Sequence, residues 1–223
     1  MWNTILFDLD GTLTDSAPGI TNSVAHALAR FGIREEPKNL LKFVGPPLNE
    51  SLAEFYGFSP QQTAEAIAVF REYFVEKGWC ENAPYPGIGE VLRELKAAGL
   101  RLMVATSKPE VQAVRILKHF GLADYFEQIC GAPLGNEDGA RKSAVIRQAL
   151  SYVGGETASA VMVGDRRHDV AGAHETGLPC VGVLYGYGGR EELEKAGAEY
   201  IAEDMAALKE LLLKGGKDGK DGN

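Results

Sequence analysis

Four short apolar runs constrain this chain most, because each is too short for a core helix and none shows the alternation of a half-exposed strand. They are Thr4 to Leu9, Leu100 to Ala105, Val161 to Val163 and Cys180 to Tyr185. Such runs read as strands buried on both faces, the habit of a parallel sheet. Segments with helical spacing separate them, as in Val111, Val114 and Leu117, with Pro109 near that helix's start and Gly121 near its end. Strands alternating with helices predict an α/β fold, a doubly wound and mostly parallel sheet.

One stretch breaks the alternation. From about residue 17 to residue 83 the pattern is helical without a convincing strand. Ile20, Val24, Leu28 and Phe31 make one stripe, and Ile67, Phe70 and Phe74 make another behind a Ser59 N-cap and Pro60. These are packing faces rather than cofactor boxes. A helical block inserted after the first strand predicts a cap domain at 17–83, with the catalytic core at 1–16 and 84–214. Asn82, Pro84, Pro86 and Gly87 make a turn-rich segment suited to a hinge. The last nine residues, 215–223, contain only Gly, Lys, Asp and Asn, too little apolar surface to offset the entropy of ordering, and read as a disordered tail.

Three of the strand-like runs end in chemistry-bearing residues. In FDLDGTLTDS, Asp8 and Asp10 follow the first run, and Gly11 opens a turn that lets Asp10 leave the strand direction and approach what Asp8 holds. An Asp-Gly turn is the bland alternative, but two clustered carboxylates repel and need a compensating cation. In LMVATSKP, the hydroxyls of Thr106 and Ser107 precede a helix whose N–H groups could bind phosphate. Simple N-capping accounts for Ser107 equally well. In VMVGDRRHDV, Asp165 and Asp169 lie about one helical turn apart, and paired carboxylates at a strand end suit a hard divalent cation such as Mg2+. Capping is the competing reading for Asp169. Lys142, alone, would be a surface lysine; beside several carboxylates and a phosphate dianion it would offset their repulsion. Ligands of open α/β sheets bind beyond the carboxyl ends of strands, where these motifs converge.

With those motifs in place, the sequence resembles the haloacid dehalogenase superfamily, and within it the phosphatases with a helical cap after the first motif. The resemblance implies a Rossmann-like core that cleaves phosphate monoesters with Mg2+. It makes Asp8 the nucleophile, Asp10 the acid/base, and Gly11, Thr12, Thr106, Ser107 and Lys142 the phosphate-binding set, with Lys142 falling 23 residues before Asp165. It assigns Asp8, Asp10 and Asp165 to the metal, with Asp169 supporting the site. The segment from Gly164 to Gly188 resembles the phosphoglycolate-phosphatase-like and bacterial 5′-nucleotidase-like branches, and Arg166 with the YGYG run favours the latter. The expected substrate is therefore a small phosphometabolite, best a nucleoside 5′-monophosphate. Phosphoglycolate, sugar phosphates, a phosphomutase and a non-catalytic binding module are the rivals. In this reading cap closure excludes water, with Phe43 to Leu48 a candidate substrate loop and a packed turn its alternative; Tyr185 to Gly189 is a loop that could border the site.

Composition narrows the partners. The formal charge of −8 argues against a nucleic-acid polymer. No stretch approaches the apolar run a membrane span needs. Cys80, Cys130 and Cys180 are widely spaced in mostly apolar surroundings and read as buried free thiols of a reducing compartment. Asp8 and Asp10 interrupt the first apolar run too early for a signal peptide, so the expected location is cytoplasmic.

Overall fold

The computed structural model describes residues 1–133, 141–155 and 157–215. Its main element is a six-stranded sheet in which every pairing is parallel. The strands are β1 (Thr4–Phe7), β4 (Arg101–Pro109), β5 (Gln128–Ala132), β6 (Ala160–Gly164), β7 (Cys180–Val183) and β8 (Tyr200–Ala202), in the order β5-β4-β1-β6-β7-β8. Two residue pairs, β2 (Thr14–Asp15) and β3 (Ala83–Pro84), form a separate short ribbon. The central strands β1, β6 and β7 are buried throughout, as continuous apolar runs require. The edge strands β5 and β8 are not legible as apolar runs. Each is only partly buried, so polar and small residues interrupt it.

Helices α5 (Ile88–Ala97), α6 (Glu110–His119), α7 (Lys142–Ser151), α8 (Arg167–His174), α9 (Arg190–Ala196) and α10 (Met205–Lys214) connect or follow these strands. α5 buries Ile88, Val91, Leu92 and Leu95, an i, i+3, i+4, i+7 stripe. α6 corrects the expected stripe: it buries Ala113, Ile116 and Leu117, while Val111 is exposed and Val114 half-buried. Apolar residues occupy two adjacent faces of this helix, and spacing alone does not choose between them. Gly215, placed in the expected tail, instead closes α10 with a φ of 67° and is buried. The rest of that tail lies outside the described residues.

The chain divides into two compact units, Met1–Leu13 with Pro84–Asn223, and Thr14–Ala83. The second unit holds α1 (Ala17–Ala29), α2 (Pro37–Leu40), α3 (Leu48–Tyr56) and α4 (Pro60–Tyr73), followed by one π-helical turn, Phe74–Gly78. α4 begins with a capping box in which the Gln62 N–H donates to Ser59 Oγ and the Ser59 N–H donates to the Gln62 side chain. Ile20, Val24 and Leu28 are buried as the periodicity predicts, but α4 buries Thr63 and Ala66, leaving Ile67 and Phe70 half-buried. Phe43 and Val44 are buried, with Phe43 packed edge-on against Phe55, so the start of the candidate substrate loop is part of this unit's core. No helix among the described residues is long and apolar enough to cross a membrane.

Candidate active site

All the sequence-derived site residues belong to the sheet unit; all but Lys142, which opens α7, sit near or just beyond the carboxyl ends of β1, β4 and β6. β1 delivers Asp8, whose N–H donates to the Val163 carbonyl at 2.9 Å and so ties the first motif to β6. The turn that follows needs Gly11: its φ is 84°, and a methyl there would overlap the Asp165 carboxylate. Gly164 serves the last motif similarly, since a side chain on it would overlap Asp169. These two glycines let the first and last motifs approach until one carboxylate oxygen each from Asp8, Asp165 and Asp169 lies within 4.8 Å of the others.

Lys142 is not a surface lysine. It opens α7 with its side chain 6% exposed, and its Nζ contacts Asp8 Oδ1 at 2.7 Å and Asp169 Oδ1 at 2.8 Å. It also donates to the Ala105 carbonyl at 3.2 Å. Gly172 on α8 makes room, because a methyl there would collide with the Lys142 stem. Burial alone would lower the Lys142 pKa, but Asp169 and Asp8 outweigh it and hold the ammonium well above its usual range. The lysine is therefore charged at any working pH.

The carboxylates respond differently. Burial pushes Asp8 up to about 6 against the opposing pull of Lys142, with Asp169 and Asp10 adding to the rise. Burial also raises Asp165 well above the carboxylate range, reinforced by Asp169 and Asp8 and opposed by the Tyr187 N–H and Arg166. Asp169 caps α8 and also faces Lys142. Its Oδ2 accepts from the N–H groups of Asp165 (3.1 Å) and Arg166 (3.0 Å), capping α8, while Oδ1 faces Lys142. With both oxygens committed, it fits a supporting role better than ligation.

The donor set fits a hard divalent cation. Asp165 is fully buried; its Oδ2 accepts from the Tyr187 N–H at 2.7 Å, whereas its Oδ1 has no hydrogen-bond partner. A buried carboxylate oxygen of this kind is costly unless a cation meets it. Asp10 is not in that cluster of oxygens. Its Oδ2 pairs at 2.7 Å with Lys108 Nζ, both side chains nearly buried.

On the other flank, β4 runs extended through Pro109 with an irregular register after Thr106. Ser107 therefore lies inside the strand, not at the cap of α6; the cap is Pro109, without a side-chain bond, which removes the capping account of Ser107. Thr106 is buried, and its Oγ1 accepts from the Lys108 N–H at 3.2 Å, so its own proton is left to donate elsewhere. Thr12 is fully buried, and its carbonyl accepts from the Tyr185 hydroxyl at 3.1 Å. Arg166 faces sideways: its Nε meets Glu192 at 2.9 Å, and the same carboxylate oxygen accepts from the Arg167 N–H.

Sequence reasoning missed two features. Lys108 has no role in the sequence-based expectation, although a lysine directly behind the Thr106-Ser107 pair is the available signal. The Tyr185 to Gly189 loop is expected only to border the site, yet the Tyr187 N–H holds Asp165.

Comparison with known proteins shows the family. The model of the haloacid dehalogenase-like hydrolases matches residues 5–183. Among curated proteins, the chain is 44% identical to a 5′-nucleotidase of Pseudomonas aeruginosa, covering 93% of this chain and 94% of that protein. It is 42% identical to the tyrosine-protein kinase PtkA of Mycobacterium tuberculosis (93% and 72%) and 33% identical to a phosphoglycolate phosphatase of Caulobacter vibrioides (89% and 85%). A crystal structure of a predicted phosphatase from Clostridium acetobutylicum superposes with a TM-score of 0.92 at 47% identity, covering 96% of this chain and 99% of that one. The chain belongs to the haloacid dehalogenase-like hydrolase family. It is an enzyme of that class, and its relatives include named phosphatases.

Proposed function

We propose that this enzyme is a Mg2+-dependent phosphatase that hydrolyses small phosphate monoesters through an aspartyl-phosphate on Asp8, with a nucleoside 5′-monophosphate as its best substrate. The observation that carries the chemistry is the buried lysine bridging Asp8 and Asp169 beside the unpartnered Asp165 oxygen. Asp8 and Asp165 would hold the cation, which supplies charge neutralisation of the phosphoryl oxygens when bound.

In the first half-reaction an Asp8 oxygen attacks phosphorus in line. The bond to the leaving alcohol breaks, and Asp10 gives that oxygen a proton. In the second, water attacks phosphorus, Asp10 takes its proton, and the Asp8–phosphorus bond breaks to release phosphate. Thr106 is suited to donate its hydroxyl proton to a phosphoryl oxygen throughout, and Lys142 to balance the charge gathering around Asp8. Gly11, Thr12 and Ser107 complete the proposed phosphate contacts, and Lys108 fixes the direction of the Asp10 carboxylate.

The identity to the Pseudomonas aeruginosa 5′-nucleotidase supports the nucleotide choice, and the phosphoglycolate phosphatase is the main competitor. A second reading rests on the kinase-named relative: the phosphoryl acceptor would be a tyrosine hydroxyl rather than water. The free thiols fit a cytoplasmic setting.

The test is phosphate release from nucleoside 5′-monophosphates, phosphoglycolate and sugar phosphates, with Mg2+ or chelator. Asp8→Asn is expected to lose at least about 10^3-fold in kcat, as removal of a nucleophile does. Unchanged turnover in that variant overturns the nucleophile assignment. Label moving from ATP to protein tyrosine, without free phosphate, establishes the kinase reading instead.

A further inference from the structure

The loop after β7 touches both the last motif, at Asp165, and the turn of the first motif, at Gly11 and Thr12. The Tyr187 N–H donates to Asp165 Oδ2 at 2.7 Å, and the Tyr185 hydroxyl donates to the Thr12 carbonyl at 3.1 Å. Gly186 lies so close that a methyl on it would overlap both the Asp165 side chain and the Gly11 carbonyl. A methyl on Gly188 would overlap the Asp165 carbonyl. The ring of Tyr185 packs against that of Tyr85 at 4.9 Å, which anchors the loop's first residue. Burial keeps the Tyr185 phenol neutral far above its usual range, so it remains a donor.

These contacts divide the two oxygens of Asp165. Oδ2 is spent on a backbone N–H, which stops the carboxylate from rotating, and Oδ1 is buried and has no hydrogen-bond partner, which leaves it as the oxygen open to a cation. A carboxylate free to spin would offer either oxygen and pay the cost of ordering on binding; one already pinned does not.

We propose that residues 185–188 form a clamp that positions Asp165 for a divalent cation, assigning Oδ1 as its metal-binding oxygen and fixing the distance between the first and last motifs. The inference rests on the Mg2+ reading above. Tyr185, Gly186, Tyr187 and Gly188 are positioning residues that act through Asp165. The two glycines are required because any side chain would displace the carboxylate or its main chain.

The experiment is isothermal titration of the metal-free full chain with Mg2+, without substrate, alongside thermal unfolding. Gly186→Ala is expected to bind Mg2+ about 10 to 100 times more weakly while remaining folded, the range typical of removed support behind a metal ligand. Tyr185→Phe, which deletes one hydroxyl, is expected to weaken binding by roughly threefold. Gly215→Ala is the control, because Gly215 has positive φ and presses on Met1 and Trp2 away from these motifs; it should lower the unfolding temperature and leave Mg2+ affinity intact.

Wild-type affinity in folded Gly186→Ala overturns the clamp, and so does an equal loss in Gly215→Ala. Should Gly186→Ala not fold, Tyr185→Phe decides, and unchanged affinity there overturns the proposal. Asp165→Asn separates this inference from the one beneath it. Binding that survives Asp165→Asn, or no binding by wild type, overturns the Mg2+ reading itself, whereas binding lost in Asp165→Asn but kept in Gly186→Ala overturns the clamp alone.

Discussion

The two units bury polar groups in opposite ways. In the sheet unit the buried polar set includes Asp8, Asp10, Lys142, Asp165 and Asp169. In the helical unit it consists of hydroxyls alone: Thr14, Ser16, Thr21, Ser23, Ser51 and Thr63. Several of those hydroxyls bond back to their own helix, as Thr21 does to the Ala17 carbonyl (2.7 Å) and Ser23 to the Gly19 carbonyl (2.6 Å), so they demand nothing from elsewhere. The buried charges of the sheet unit draw on groups distant in sequence, such as Lys142 for Asp8 and Lys108 for Asp10. One interior is assembled for packing, and the other holds charge that a fold of minimal cost would leave outside.

The sharpest way to break that contrast is Lys142→Met. Removing one partner of a buried pair leaves uncompensated charge and typically costs about 3 to 5 kcal/mol; here two carboxylates lose their cation at once. The expected result is a large drop in the urea midpoint together with loss of phosphate release. Added Mg2+ should restore part of the stability and little of the activity. A variant as stable as wild type would mean that the pairs contribute nothing to folding.

Phe43→Ala probes the other interior. The ring is 3% exposed and packs against Phe55 and Tyr56, at 5.4 and 6.0 Å between centroids. Its removal is expected to destabilise by about 3 kcal/mol through a cavity. Mg2+ affinity should not move, because no proposed cation ligand lies in this unit. A change in metal affinity would mean that the two interiors are not independent.

The same contrast explains what could be read in advance. Asp8, Asp10, Thr106, Asp165 and Asp169 were legible because each follows a continuous apolar run, so a short segment carries both the strand and the residue it delivers. Lys142 stood out only once the charges were counted. Lys108 and the Tyr185 to Gly189 loop stand out locally, but their contacts do not, because the partners lie 98 and 22 residues away. The edge strands Gln128–Ala132 and Tyr200–Ala202 escaped for the complementary reason, since partial exposure dilutes the apolar signal that marks a central strand. In the helical unit periodicity located the helices but misjudged part of the buried face of α4, where Thr63 and Ala66 are buried in place of larger neighbours.

The thiols give the smallest effect and the finest test. The expectation of three buried cysteines fails at Cys80, which is exposed just after the π-helical turn of the helical unit, its Sγ 3.1 Å from the Lys77 carbonyl. Cys130 and Cys180 are buried in the sheet unit. Burial, with Glu110 adding to it, pushes the Cys130 thiol up to about 11, and burial raises Cys180 well above its ordinary value. Reaction needs the thiolate, so at pH 8 both remain protonated and screened. Brief iodoacetamide treatment of the native protein should therefore label Cys80 alone, read by peptide mass spectrometry, and urea should expose all three. The sign with pH follows: a thiol raised in the folded state binds its proton more tightly there, so stability linked to Cys130 is present below about pH 9 and declines as pH rises toward about 11. Early labelling of Cys130 at pH 8 would show that the β5 edge of the sheet opens locally, and would place the weak point in the charged interior rather than the aromatic one.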